Sequence, residues 1–277
     1  MTNDIEAKIE TLLAQITSLG SCAVAFSGGV DSAVIAAAAF RAIGESAVAV
    51  TADSPSLPTG ELEAARELAA HIGIQHRIIS TAELNSTAYR ANAPDRCYHC
   101  KSELYQRMSV FIQDGFAYVL NGTNADDLQD YRPGLTAATE HQVVSPLADC
   151  GITKVEVREI ARQWHLPVWD KPAGPCLSSR VAYGEEVTPE KLEMIDRAEA
   201  WLRNQGYSQV RVRYHAGALA RAEVPIEQIE SLFQQRQELS SELRRFGFRF
   251  VTIDTEGFRS GSLNNVVSLD LDFRSVE

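Results

Sequence analysis

Ile5, Ile9, Leu12, Leu13 and Ile16 recur at helical spacing with charges between them, so the pattern predicts an amphipathic helix over 4–18. Beyond it the apolar positions gather into short runs. Cys22–Phe26, Ala47–Thr51 and Phe116–Leu120 have the length of buried strands, and 75–79 continues the series. Between them Ala33–Ile43 and Gly60–Ile72 read as helices. Strands alternating with helices imply an α/β fold with a parallel sheet and right-handed crossovers. Ligands of such sheets bind beyond the carboxyl ends of the strands. Three polar stretches fall at those ends: Ser27–Ser32, Asp53 with its following turn, and Asn121–Asp127. Val143–Pro146 reads as one further strand and Lys154–Trp164 as a helix.

The pattern changes after a turn-like stretch at 181–189. Thr188 followed by Pro189 is a helix start. A helix over 189–205, alternating residues Val210–His215, a short run Leu219–Val224, a helix from Ile226 to about Arg245 and a strand Phe248–Ile253 follow. Two adjacent short strands flanked by helices suggest a smaller α+β unit, an open sheet with helices on one face. The expected division is a larger nucleotide-binding and catalytic domain over 1–186 and a small domain over 187–277, contributing to substrate binding and oligomerisation.

Charge narrows the partners. Lys and Arg number 26 against 37 Asp and Glu, a formal charge of −11, and such a field repels nucleic acid. The longest apolar stretch, Ala33–Phe40, is too short to span a bilayer. The N-terminus lacks a basic-then-apolar secretion pattern. A soluble cytoplasmic protein is expected, without membrane or nucleic-acid partners. Five cysteines, an odd number without an export signal, point to thiols, metal or catalysis rather than a disulfide frame.

The stretch Ser27-Gly28-Gly29-Val30-Asp31-Ser32 joins the first strand to the first Ala-rich helix. Two glycines let backbone N–H groups approach an anion, and the helix that follows aims its positive end at the same place. Ser27 and Ser32 add hydroxyls. No Lys follows the glycines, so this is not the Walker arrangement. It resembles the signature of PP-loop ATP pyrophosphatases, which cleave ATP between its α and β phosphates and adenylate a substrate. Gly122 and Asn124, in the small polar stretch after the fourth strand, suit hydrogen bonding to adenine or ribose; an Asn-Asp turn into a surface helix is the plainer alternative. Arg132 offers one guanidinium for an anion.

Cys97-Tyr98-His99-Cys100 carries two thiols three positions apart, and Cys176 lies in a loop stiffened by Pro172, Pro175 and Gly174. Cys22, inside the first strand, and Cys150 look like packing residues. Zinc closed by His99 and an iron-sulfur cluster with one open iron both suit three thiolates.

Taken in order, Ser27–Ser32, Cys97–Lys101, Gly122–Asp127, Arg132–Leu135, Pro175–Arg180, Arg211–Arg213 and Gly257–Gly261 resemble the LarE family over nearly the whole chain. The resemblance implies ATP-dependent sulfur insertion into pyridinium-3,5-biscarboxylic acid mononucleotide, on the route to the nickel-pincer nucleotide cofactor, by a homo-oligomer. It also implies one of two sulfur sources. In one branch a cysteine at the position of Cys176 gives up its own sulfur; in the other, three cysteines hold a 4Fe-4S cluster. With Cys97, Cys100 and Cys176 present, the second is expected.

Roles follow from that resemblance. Ser27, Gly28, Gly29 and Ser32 cradle the phosphates of ATP, and Asp31 holds Mg²⁺ or fixes the loop, with Asp53, Gly122 and Asn124 completing the ATP site. Lys101 stabilises charge on the phosphate or the attacked carboxyl. Arg180, Arg211, Arg213 and Arg259 are candidates for the phosphate of the pyridinium nucleotide, since guanidinium matches phosphate bidentately. Arg211 and Arg213 share one face of an alternating strand. A tRNA thiolase of the same class would carry further CxxC pairs, and Cys97/Cys100 is the single one here. A nucleotide-sensing module without chemistry is the reading from a different class.

Overall fold

The computed structural model describes residues 2–129, 133–172, 174–259 and 263. Arg132, Ser260 and Gly261 lie outside the described residues. The described residues fall into two compact units, one made of those within 2–54, 60–83 and 97–174, the other of those within 55–59, 84–96 and 175–263.

The first unit begins with α1 (Thr2–Leu19) and β1 (Cys22–Ala25), then α2 (Val30–Ile43), β2 (Ala47–Asp53), α3 (Glu61–Ile72) and β3 (Gln75–Ser80). The short helix α4 (Thr87–Arg90) belongs to the second unit. The first resumes at Cys97 in α5 (Arg96–Gln113), followed by β4 (Tyr118–Leu120), a 3₁₀ turn Ala125–Gln129, α6 (Pro133–Glu140), α7 (Pro146–Asp149) and α8 (Lys154–Gln163). The four strands pair in parallel in the order β3-β2-β1-β4. The continuous apolar runs of β1 and β2 reflect burial on both faces, whereas β3, at the sheet edge, alternates exposed and half-buried residues. Successive residues point to opposite sides, so Val24 and Ala49 join one core with α1, α2, α3 and α8, while Ala23, Val48 and Val50 join another with α5 and α6. The alanines of α2 combine high helix propensity with little bulk, and the helix packs against α1, α3, α8 and the sheet.

The expected strand at Val143–Pro146 is reduced to one residue. Val144 bridges Leu120 in parallel, with Val144 N–H donating to Val119 and Asn121 N–H donating to Val144. Pro146 opens α7 at once, and a ring without an N–H ends the ladder there.

The second unit holds a 3₁₀ turn Leu177–Arg180, α9 (Pro189–Asn204), β5 (Arg211–His215), β6 (Leu219–Glu223), α10 (Ile229–Gln234), α11 (Arg236–Arg245) and β7 (Phe250–Ile253). Its sheet runs β5-β6-β7, with an antiparallel hairpin and then a parallel strand. Thr188 caps α9 by accepting from Lys191 N–H, with Pro189 at the first turn, as the Thr-Pro pair predicts. The single long helix expected over 226–245 is instead a 3₁₀ turn and two helices broken at Gln235.

The compact division comes at Pro175 rather than at 186/187, and two inner segments join the second unit. Hydrogen bonds across long sequence separations explain this. Asn92 Nδ2 donates to the carbonyls of Val181 and Ala182 at 3.2 and 2.8 Å. Val187 N–H donates to Arg90 and Leu177 N–H to Ser56, both at 2.8 Å. No periodicity along the chain announces such pairings.

Candidate functional site

In the first unit, the chain leaves β1 for β2 on one side and reaches β4 on the other. β1 and β4 are therefore neighbours at the point where strand order reverses, and the crevice beyond their carboxyl ends is where such sheets bind ligands. Ser27–Gly29 follows β1 there and Asn121–Asn124 follows β4. Gly28 has φ +71°, a conformation L side chains rarely adopt, and an added Cβ would meet that of Ala65 at 3.4 Å. Gly29 caps α2 in extended conformation with no side-chain hydrogen bond to the helix end. The positive end of α2 is thus left to an outside anion.

Ser32 shapes this loop from within. Buried, it donates from Oγ to the Gly29 carbonyl at 2.9 Å and accepts from Ser27 N–H at 3.2 Å. Ser27 Oγ lies 3.2 Å from Ser32 Oγ and stays exposed to solvent. The Gly122 loop presses directly on the same turn: a Cβ on Gly122 would stand 2.8 Å from Ser32 N and 2.9 Å from Asp31 C. Asp31 is held from two sides, Oδ1 accepting from Asn124 Nδ2 at 3.1 Å and Oδ2 accepting from Lys154 Nζ. Asn124 is buried, and its Oδ1 accepts from Asp126 and Asp127 N–H groups at 3.0 and 3.3 Å. Its side chain is a strut between the two loops. Asp53 stands exposed at the carboxyl end of β2.

Lys154 was not singled out by sequence reasoning. Its signal was present, since a cation in the first turn of a helix opposes the helix dipole and needs another reason to be there.

Cys97 and Cys100 lie in the first turns of α5, the former exposed and the latter half-buried. Three apart on a helix, they share one stripe, and Lys101, four beyond Cys97, joins it. Gly134 lets Lys101 lie close, because a Cβ there would sit 3.2 Å from Lys101 Cγ. The helix removes His99 from that stripe. At about 100° per residue it turns well away from Cys97, so it cannot close a zinc site with the pair while α5 stays helical. His99 instead packs edge-on against Tyr98, ring centroids 5.3 Å apart.

Cys176 belongs to the second unit, half-buried at the start of the 3₁₀ turn. Arg180 fixes its backbone. Almost fully buried, Arg180 makes a two-pronged pair with Glu199 at 2.9 and 3.1 Å, while Nη1 donates to the carbonyls of Pro175 and Cys176 and to Ser179 Oγ. Arg213 is likewise buried. It grips Glu223 at 2.9 and 3.1 Å and donates to the Ser179 carbonyl at 3.1 Å. Arg211 is half-buried, its guanidinium 5.3 Å from the centre of the Phe258 ring. Burial first, and then the nearby Arg180, push its pKa down to about 10. Arg259, more exposed, pairs with Glu256 and lies 3.7 Å from Asp254.

Among the described residues, no group of three or more His, Cys, Asp or Glu is gathered so as to hold a metal ion. Cys22 is fully buried, which pushes its thiol up to about 12, and burial also raises Cys150, whose Sγ donates to Gln15 Oε1 at 3.2 Å. Both are packing residues, as expected. No helix among the described residues is long and apolar enough to cross a membrane.

The asparagine synthase family model matches residues 9–129, the segment carrying the phosphate loop. An uncharacterized protein of Synechocystis sp. is 48% identical over 267 residues, 95% of this chain and 99% of that one. The pyridinium-3,5-bisthiocarboxylic acid mononucleotide synthase of Lactiplantibacillus plantarum is 34% identical over 266 residues, 95% of this chain and 96% of its own. An uncharacterized protein of Methanocaldococcus jannaschii is 32% identical over 170 residues, 61% of this chain and 66% of that one.

Proposed function

The chain belongs to the LarE family of PP-loop, ATP-dependent sulfurtransferases, and on that premise we propose that it converts pyridinium-3,5-biscarboxylic acid mononucleotide to its thiocarboxylic acid forms for nickel-pincer cofactor synthesis. The observation that carries the reading is the phosphate loop, with Gly29 leaving the end of α2 uncapped at the strand-order reversal.

A free carboxylate resists nucleophiles, so it is activated first. A carboxylate oxygen bonds to the α-phosphorus of ATP, the α–β bridging bond breaks, and pyrophosphate leaves with the electron pair. The backbone of Gly28 and Gly29, the Ser27 hydroxyl and the end of α2 stabilise the separating charge. Asp31 would hold the Mg²⁺ that travels with ATP, while Asp53, Gly122 and Asn124 shape the nucleotide site. Sulfur then bonds to the acyl carbon and AMP departs. Lys101 offsets negative charge on the attacked carboxyl oxygen. Two such rounds give the bisthiocarboxylic acid.

The support for an iron-sulfur cluster is chemical: thiolates are the ligands such clusters take, and Cys97 and Cys100 stand on one stripe of α5, accessible to solvent, while Cys176 sits on a loop whose backbone Arg180 fixes. A 4Fe-4S cluster on these three thiolates would supply the sulfur. Arg211 and Arg259 bind the substrate phosphate, and Arg213, paired with Glu223, supports them from within the sheet. Arg211, disfavoured as a cation first by burial and then by the nearby Arg180, is stabilised by an arriving dianion. Arg180 acts mainly by holding the Cys176 loop. The protein works in the cytoplasm as a homo-oligomer.

Anaerobic purification with iron, zinc and acid-labile sulfide analysis tests the sulfur source. Iron and sulfide with repeated turnovers are expected. Their absence, together with loss of one Cys176 sulfur per product thiocarboxylate, would replace the cluster by sacrificial transfer. Arg211→Ala should weaken substrate binding more than ATP binding; equal effects count against its assignment.

A further inference from the structure

Lys154 opens α8, yet that helix end does not need it. Thr153 caps the end by accepting from Glu156 N–H, and the Glu156 side chain returns the bond to complete a capping box. A cation at this position opposes the dipole of its own helix. Two contacts nonetheless hold the residue in place. Its backbone N–H donates to Asp126 Oδ2 at 2.8 Å, and its ammonium crosses to Asp31 Oδ2 in the first turn of α2. Asp31 is two residues beyond Gly29, so a full positive charge stands beside the phosphate loop. The pair is only partly shielded, at 35% and 26% side-chain exposure, and ion pairs of that kind are exchanged at little cost.

We propose that Lys154 is a phosphate-binding residue for ATP, resting on Asp31 in the nucleotide-free protein and transferring to a β- or γ-phosphate oxygen when ATP enters. The inference deepens the reading above and rests on it. Adenylation expels pyrophosphate, and the charge on that leaving group grows as the α–β bond breaks. The α2 end supplies only about half a positive charge, fixed in place. Lys154 brings a whole charge on a flexible four-carbon stem that can follow the departing group. Its transfer leaves Asp31 Oδ2 to the Mg²⁺ that arrives with the nucleotide, while Asn124 keeps Oδ1 in place.

The test compares ATP with AMP, which lacks the β- and γ-phosphates, using the full chain. Lys154→Gln should weaken ATP binding about ten-fold, the scale of a lost charge-assisted hydrogen bond, and leave AMP binding nearly unchanged. Lys154→Arg should restore most of the ATP affinity. Equal loss for both nucleotides, or a lowered melting temperature with ATP affinity intact, would reduce the residue to a structural ion pair and overturn the proposal. Should Lys154→Gln not fold, amine acetylation of the native protein decides. ATP should protect Lys154 far more than AMP does, and equal labelling overturns the assignment. If the wild-type protein binds ATP but releases no pyrophosphate with the pyridinium substrate, the functional reading fails, while the two affinities still judge Lys154.

Discussion

Gly122 shows how far one residue can be constrained by a neighbour distant in sequence. With Ser32 N 2.8 Å from where its Cβ would be, Gly122→Ala must push the loop after β4 off α2. Overpacking of this kind costs about 1–3 kcal/mol. The variant should lower the denaturation midpoint and weaken ATP binding together; a full-strength ATP site would show that the loop does not shape it. Arg180 and Glu199 make the complementary case. At 2% and 1% exposure, removal of the carboxylate by Glu199→Ala leaves a buried guanidinium unpaired, at a cost of about 3–5 kcal/mol. Because Arg180 also holds the carbonyls of Pro175 and Cys176, the same variant should change the alkylation rate of Cys176, read by mass spectrometry, more than that of Cys97. The need for paired arginines was not legible in sequence. Arg180 and Arg213 look like any phosphate-binding guanidinium until Glu199 and Glu223 are seen beside them, supplied by α9 and β6.

At the scale of elements, each sheet carries one histidine whose folded state resists protonation. His76 on β3 and His215 on β5 are both held below their ordinary value of 6.5, chiefly by burial and then by Arg66 and Arg221 respectively. Thr51 Oγ1 donates to the Phe26 carbonyl at 2.7 Å, so at 2.8 Å from His76 it accepts, and Nε2 of that ring carries the proton. Below 6.5 and above the folded pKa, the unfolded chain binds more protons than the folded one. Stability is therefore full above about 6.5, falls as pH drops through it, and levels off below the folded values. Denaturation midpoints should fall between about pH 7.5 and about pH 5.5, and His76→Gln should make the slope shallower. An unchanged slope would show that the ring titrates freely. The elements themselves were largely visible. Strand starts at Cys22 and Ala47 match the apolar runs because both faces of a central parallel strand demand continuous hydrophobicity, while the start at Gln75 followed from the alternation of elements. The single long helix over 226–245 misled, since its periodicity survives a break at Gln235 that changes direction without changing composition.

For the whole molecule, the two compact units set what ligands can stabilise. A ligand binding only the folded state adds RT ln(1 + [L]/Kd), about 2.7 kcal/mol at a hundredfold excess over Kd. Since the phosphate loop lies wholly in the first unit, ATP should raise hydrogen-exchange protection around β1, α2 and the Gly122 loop. Protection confined to the second unit instead would misplace the ATP site. The charge of −11 predicts that tRNA is retained weakly in filter binding; tight, salt-sensitive retention would reopen the tRNA-thiolase reading.

Local chemistry determined much of this protein before any fold was in hand. A strand, two glycines and an alanine-rich helix specify an anion cradle because backbone approach and helix polarity are properties of adjacent residues. The three thiols at 97, 100 and 176 likewise show in the chain as residue types with sulfur chemistry. Tertiary structure alone decided which groups lean on one another. The clasp of Lys154 and Asn124 on Asp31 and the Arg180–Glu199 pair beneath the Cys176 loop join positions from 19 to 123 residues apart. So does the stripe that separates His99 from its neighbouring cysteines depend on a helix actually forming. Charge pairing and burial act across space, and a linear pattern carries no record of who the partner will be.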